Sequence, residues 1–215
     1  MSKATATRHR LTRAALELFV DQGIAATTTR QITDRAKVAE GTLYRHFDSK
    51  EALAWTLFLD HHRELGRALR AAMHGPEDFA ERVRTVVRCY CRLADADWLA
   101  FSYHLLYQHR EQPTVATDPD NPVRVVRDLL EAGMAEGAIP ARNLELLVGM
   151  ALGVVLQTAM QRLYGTLDCP LGQVADDLAE GVWRVITTPA CGPGRPEAQP
   201  AAPAGAESRE DAAPD

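Results

Sequence analysis

The 215-residue sequence predicts an all-α fold: a small N-terminal three-helix unit followed by a larger helical body. Three observations predict it. Ala, Leu, Glu and Arg dominate, while runs of β-branched residues are few, a composition that favours helices. Apolar residues recur at three- and four-residue intervals through most of the chain, the mark of helices with one buried face. Glycine and proline fall at Gly23, Gly75-Pro76, Gly137, Pro140 and Pro170, dividing the chain into segments of helical length.

The first helix is expected from about Thr7 to Asp21, with Leu11, Ala14, Ala15, Leu18 and Phe19 on its inner face and Gly23 as its C-terminal cap. Ile24 would fold back onto the core. A second helix starts near Thr28, where Thr28 and Gln31 have capping-box spacing, and Ile32 and Ala36 face inward. After a four-residue turn the pattern restarts over Glu40–Phe47. A short helix, a tight turn and another short helix form a helix-turn-helix.

Asp48 or Ser49 caps a long fourth helix, 50–73, with Leu53, Leu57, Leu65 and Leu69 directed inward. The next helix runs from about Pro76 to Leu93, and an aromatic-rich one from Trp98 to His109. Pro113, Pro119 and Pro122 make 112–122 a loop. A helix follows over 123–136. The most apolar helix, Asn143 to Tyr164, needs cover on several sides. The last is opened by Pro170, with Leu171, Val174, Leu178, Val182, Val185 and Ile186 in periodic positions. From Pro189 the chain is rich in Pro, Ala, Gly and Glu, which predicts a disordered tail. The expected domains are 1–49, 50–187 and the tail 188–215.

The whole chain is acidic, with 24 basic and 29 acidic side chains. Residues 1–50 reverse the sign: nine basic and five acidic groups give net +4, so the remainder carries −9. A basic head on an acidic body can steer one end of a molecule onto DNA. A recognition helix lies in the major groove with its first turn near base edges. Gly41 would let the backbone approach the duplex there. Thr42 can bond a base or a phosphate and meet a thymine methyl, and Tyr44 carries a hydroxyl on a stiff arm. Arg45 and His46 can donate to phosphates or guanine, while Leu43 and Phe47 anchor the helix to its core. Thr28 and Thr29 open a helix whose amides attract a phosphate, and Lys50 begins another. Lys3, Arg8 and Arg10 could track the backbone or enter the minor groove.

The stretch Thr28–Lys50, TTRQITDRAKVAEGTLYRHFDSK, resembles the DNA-binding domain of the TetR family of bacterial regulators. The resemblance covers about Leu11 to Leu53, and its specific part is Gly41–Phe47 followed by Lys50-Glu51. Beyond that, the chain is similar to the family in length and helical layout. The resemblance implies a homodimeric, sequence-specific transcriptional regulator of the cytoplasm, a repressor released from its DNA operator by a small-molecule effector. It supports DNA contacts from Thr28, Arg30, Thr42, Tyr44, His46 and Lys50; Thr29, Lys37, Ala39, Glu40, Gly41 and Arg45 complete the expected interface. Two positions depart from the family pattern: Lys37 stands where the turn usually has Gly, and Ala39 where Ser usually precedes the recognition helix. A left-handed lysine costs about 1 kcal/mol, and a lost N-cap hydroxyl about 0.5–2 kcal/mol. Glu40 partly restores the favourable helix-dipole interaction. It could accept from cytosine or simply repel phosphate.

The resemblance also implies an effector cavity among the middle helices, so that the chain becomes an N-terminal DNA-binding domain followed by a ligand-binding and dimerisation domain. Trp98, Phe101, Tyr103, His104 and Tyr107 are either its lining or plain core. Gln157, Gln161 and Tyr164 either orient a ligand or form a solvent-facing stripe. Helices 143–164 and 171–186 are implied to pair with a second subunit, with Gly149 and Gly153 marking close approach inside the body or at that seam.

Other chemistry is not indicated. The cysteines Cys89, Cys91, Cys169 and Cys191 have no zinc-ligand spacing and read as reduced thiols. The histidines show no paired metal spacing, so neither a metal nor a cofactor is expected. No nucleophile–base pair or glycine-rich phosphate loop points to an enzyme. The N-terminus lacks a signal-peptide core, and the longest apolar stretch, Leu146–Leu156, is short of the roughly 20 residues that span a bilayer; no membrane association is expected.

Overall fold

The computed structural model describes residues 3–108 and 118–189. These residues form nine α-helices and one 3₁₀ turn, with no strand among them: α1 Lys3–Ala26, α2 Thr29–Ala36, α3 Gly41–Tyr44, α4 Lys50–Met73, α5 Phe79–Ala96, α6 Trp98–Tyr107, α7 Pro122–Ala135, α8 Leu144–Leu163, the 3₁₀ turn Leu171–Val174, and α9 Ala175–Thr187. The expected fold class is the one observed. The tail from residue 190, with Cys191, and most of the proline loop lie outside the described residues.

Several boundaries differ from expectation for local reasons. The first helix begins at Lys3, because Lys3-Ala-Thr-Ala-Thr contains no breaker and the Thr7 hydroxyl donates to the Lys3 carbonyl at 2.9 Å. The helix breaks at Gly23, as expected, where the backbone leaves helical geometry at φ 83, ψ 160, and a short helical stretch to Ala26 follows across the kink. The third helix is only four residues long: the amides of His46 and Phe47 both turn back to Leu43 O at 2.9 Å. The Ser49 hydroxyl then accepts from Ala52 N and starts α4. Asp78, not Pro76, caps α5, accepting from Glu81 N at 2.9 Å. The last predicted helix divides into a 3₁₀ turn and α9, since Asp95 draws the amides of Leu171 and Gly172 to its carboxylate at 3.0 and 2.7 Å.

Two cores form. The first gathers Leu11, Ala15, Phe19, Ile32, Leu43, Phe47 and Leu53 from α1–α4, and it also takes Phe58 from farther along α4 and Tyr103 from α6. The second lies in the body, built from α4–α9. Helix α4 belongs to both. Its predicted inner face is rotated slightly: Phe58 and His62 are buried along with Leu53, Leu65 and Leu69, whereas Leu57 is only half-buried. On the body side, α4 comes so close to the segment before α7 that a Cβ on Gly66 would overlap the Asp120 carbonyl. Arg63 and Arg70 lock the same segment, to Asp118 at 2.7 Å and to Pro119 O at 2.7 Å.

Contacts between α1 and α6 fix the N-terminal unit on the body. Arg13 Nη1 donates to both oxygens of Asp97 at 2.8 Å, while the same carboxylate caps α6 through Ala100 N. Burial pushes the Asp97 carboxyl up, but the hydrogen bonds from Arg13 and Ala100 N, together with the positive charge of Arg13, outweigh it and leave the group below the usual range. At the other end of α6, the amide of Ile24, just past the Gly23 kink, donates to Tyr107 Oη at 3.2 Å.

Helix α8 is long and apolar enough, by length and composition, to cross a membrane, which the count of uninterrupted apolar residues did not register. Core helices share this property, and Leu147, Val148, Ala151, Val155 and Ala159 are buried against the body. Its other face is open: Leu146 is 56% exposed, Met150 39% and Tyr164 67%. A Cβ on Gly149 or Gly153 would meet nothing within 4 Å, so these glycines do not serve close packing inside the body.

Candidate nucleic-acid interface and body cavity

The helix-turn-helix is assembled by short-range bonds that the sequence encodes directly. Gln31 N donates to Thr28 Oγ1 at 3.2 Å, and Thr28 N donates to Gln31 Oε1 at 2.8 Å, the reciprocal capping box expected from their spacing. The turn depends on Lys37, at φ 54, ψ 51, the one non-glycine residue with positive φ among the described residues. Its amide closes on Asp34 O at 3.1 Å, and Val38 N on Thr33 O at 3.0 Å. No side-chain hydrogen bond caps α3, consistent with Ala39 and Glu40 at its start. Glu40 instead accepts from the Thr29 hydroxyl at 3.4 Å, tying the two short helices together.

One face of this unit is exposed and polar. Thr28, Arg30, Lys37, Ala39, Glu40, Gly41, Tyr44 and Arg45 are exposed, and Thr29 and His46 are half-buried. A shallow groove between the start of α1 and α3 is lined by Lys3, Thr7, Ala39, Thr42, Arg45 and His46. Two expected contact residues have structural posts. Thr42 is buried, with its hydroxyl accepting from Arg45 Nη2 at 3.0 Å. Lys50 Nζ donates to Ile24 O and Thr27 O, both at 2.7 Å, and so fastens the α1–α2 connection to the start of α4.

The body contains a narrow, mostly apolar cavity of about 80 Å³ between α4, α5, α6, α7, α8 and α9. Among the described residues its walls are aliphatic apart from His62, Tyr90, His104 and Gln108. Of the eight residues expected to hold an effector, His104 lines this cavity and the other seven lie elsewhere. Trp98 stacks on Phe101 and carries the Arg162 guanidinium 3.8 Å from its ring centroid. Tyr103 is buried in the N-terminal core, where its hydroxyl donates to Ala54 O at 2.8 Å. Tyr107 holds the α1 kink. Gln161 bonds the Thr166 hydroxyl, while Gln157 and Tyr164 are exposed on α8. The predicted aromatic cluster marks the junction between the cores. The cavity lies beside it, and sequence reasoning missed His62 and Tyr90. The only signal for His62 was its position three residues before Leu65 on the inner face of α4.

His62 and His104 form a buried pair, Nδ1 to Nε2, at 3.0 Å. Phe58 stacks on both rings, with centroids 5.2 Å away in each case. Burial, opposed by Asp118, lowers the His62 pKa. Burial, with His61 and His62 nearby, lowers that of His104 well below its ordinary value. His61, beside the pair, is lowered to about 4, mainly by burial, against the pull of Asp97. The three imidazoles are therefore neutral near pH 7. Among the described residues no group of three His, Cys, Asp or Glu is placed to hold a metal ion. Cys89 and Cys91 are free and buried and Cys169 is free; burial pushes the Cys91 thiol up to about 11, the unreactive form.

Comparison with known proteins adds family and fold. A family described as "Bacterial regulatory proteins, tetR family" matches residues 11–54. The chain is 32% identical over 102 residues to the HTH-type transcriptional activator FasR of Mycolicibacterium smegmatis, 47% of this chain and 46% of that protein. It is 51% identical over 39 residues to the HTH-type transcriptional repressor KstR2 of Rhodococcus jostii, 18% of this chain and 19% of that one. The matches thus span about half the length of these relatives or less. Two solved structures share the fold. A TetR family transcription regulator from Marinobacter aquaeolei gives a TM-score of 0.71 at 18% identity, covering 85% of this chain and 96% of the other. FadR from Bacillus subtilis in complex with stearoyl-CoA gives 0.69 at 17%, covering 83% and 97%.

Proposed function

We propose that this chain, a member of the tetR family of bacterial regulatory proteins, is a sequence-specific DNA-binding regulator that represses transcription until a small molecule in its body cavity releases it. The observation that carries the reading is the exposed polar face of the helix-turn-helix, set on the net-basic end of an acidic chain. Thr28, Thr29, Arg30, Lys37, Gly41, Tyr44, Arg45 and His46 meet the duplex. Ala39 and Glu40 shape the approach of α3, and Thr42 and Lys50 brace the helices that carry these groups. The activity is binding rather than catalysis, and the protein works in the cytoplasm. Residues 1–49 are the reading unit, 50–187 the effector and dimer unit, and 188–215 a tail.

A second copy completes the reader. The open stripe Leu146, Gly149, Met150 and Gly153 on α8, together with α9, forms the seam. Paired through it, the two recognition helices would reach half-sites about 34–36 Å apart, or at a multiple, on a palindromic operator. Release runs through α4. A ligand displacing His62 and His104 moves Phe58, which is stacked on both and belongs to the N-terminal core. Ligand and DNA then oppose each other reciprocally. The acyl-CoA complex of FadR favours the cavity as the effector site.

The test is selection of bound fragments from the source genome, followed by gel-shift titration on the selected site. The expected result is sequence-selective, salt-sensitive binding to a palindrome. Equal affinity for every sequence, or none, overturns the reading.

A further inference from the structure

Three polar side chains on the cavity wall have buried atoms with no hydrogen-bond partner: His62 Nε2, His104 Nδ1 and Tyr90 Oη. Their residues are 2%, 4% and 8% exposed, whereas Gln108 and Val123, also on the wall, are half-buried and exposed. The orphaned atoms therefore belong to the inner part of the cavity and the half-open residues to its mouth. A buried polar group left without a partner is destabilising, so three such groups lining one cavity point to a partner that arrives from outside.

The chemistry of that partner follows from the proton count. The neutral His62–His104 pair shares one proton across its 3.0 Å bond. Each neutral imidazole has one donor and one acceptor nitrogen. The two outer nitrogens must then be one donor and one acceptor, in whichever order the shared proton sets. Tyr90 adds a hydroxyl that both donates and accepts, and burial keeps it protonated. Among the described residues no Arg, Lys, Asp or Glu lines the cavity, so an ion carried to this wall would lose its hydration without a counter-charge from them, which disfavours it.

We propose that the effector is an aliphatic molecule bearing an uncharged oxygen group, a hydroxyl or carbonyl, which is carried to the inner wall and held there by Tyr90 and the His62–His104 pair. The assignment rests on the cavity being the effector site. It places the polar atom at the buried end, with aliphatic contacts from Leu65, Val86, Val87 and Leu129 around the remainder.

The test uses the full-length protein and three probes of one chain length: 1-octanol, octyl sulfate and octylammonium. Binding is followed by calorimetry and by the ring-nitrogen signals of ¹⁵N-histidine-labelled protein. Octanol is expected to bind at least tenfold more tightly than either ion and to shift the His62 and His104 signals. Tyr90→Phe should weaken octanol about tenfold while leaving the melting temperature of the free protein equal or higher, because it removes an unpartnered hydroxyl. Equal binding of all three probes, unchanged imidazole signals, or undiminished affinity in Tyr90→Phe overturns the ligand assignment and leaves the cavity as an effector site. Octanol binding that meets every expectation but leaves operator affinity unchanged supports the ligand assignment and overturns effector release.

Discussion

At the scale of single residues, Lys37 connects stability with recognition. It closes the turn in a left-handed conformation that glycine adopts without steric cost. Lys37→Gly is expected to stabilise the fold by up to about 1 kcal/mol, read as a higher denaturation midpoint. It should also weaken DNA binding across all sequences and reduce the salt slope by about 1. Thr28→Ala removes one half of the capping box and should cost about 1 kcal/mol together with operator affinity. Both features are legible in the sequence, since a capping box needs residues only three apart and the turn needs only its family spacing. The posts of Thr42 and Lys50 are not: the Lys50 ammonium is claimed by carbonyls 23 and 26 positions earlier, which no local pattern announces.

At the scale of elements, the helices of the body are readable from their apolar period, but what they enclose is not. His62, Tyr90 and His104 come from α4, α5 and α6, and each separately reads as an ordinary inward position. Aromatic density between Trp98 and Tyr107 marks the junction of the cores, since rings signal burial whether or not a cavity adjoins them. The histidines around Phe58 give this junction a pH signature. Their folded pKa values lie below the ordinary 6.5, so the unfolded chain binds more protons as pH falls below about 6.5. Stability is therefore expected to decline as pH falls below about 6.5, by up to about 1.4 kcal/mol per pH unit for each histidine, the His61 contribution ending near pH 4. Chemical denaturation at pH 7, 6 and 5 measures the slope, and His104→Phe should make it shallower. Gly66 defines another inter-element constraint: Gly66→Ala drives a methyl group into the Asp120 carbonyl and should lower the melting temperature by several degrees.

At the scale of the whole molecule, the open stripe on α8 is the proposed seam between two chains on the DNA. Met150→Arg leaves every buried contact of α8 in place while setting a charge on the proposed seam. It should convert a dimer to a monomer in light scattering and abolish tight operator binding, with the helical content unchanged. A dimer that persists would place the interface elsewhere. Composition and period foretold an apolar helix needing cover on several sides, and the body supplies cover on one. In the proposed dimer the remaining cover comes from a second chain, a contact that no single sequence encodes as a local pattern.

The sharing of α4 bears on how such a protein can be recombined. Phe58 and Tyr103 complete the N-terminal core, although both lie beyond the helix-turn-helix, and Arg13 reaches across to the cap of α6. A hybrid joined at residue 49 would pair one parent's reading head with another parent's Phe58, Tyr103 and Asp97, leaving mismatched surfaces where these groups dock. Functional chimeras should therefore tolerate crossovers only when both sides of this dock come from the same parent. The unit of exchange is a discontinuous set of residues rather than a stretch of chain.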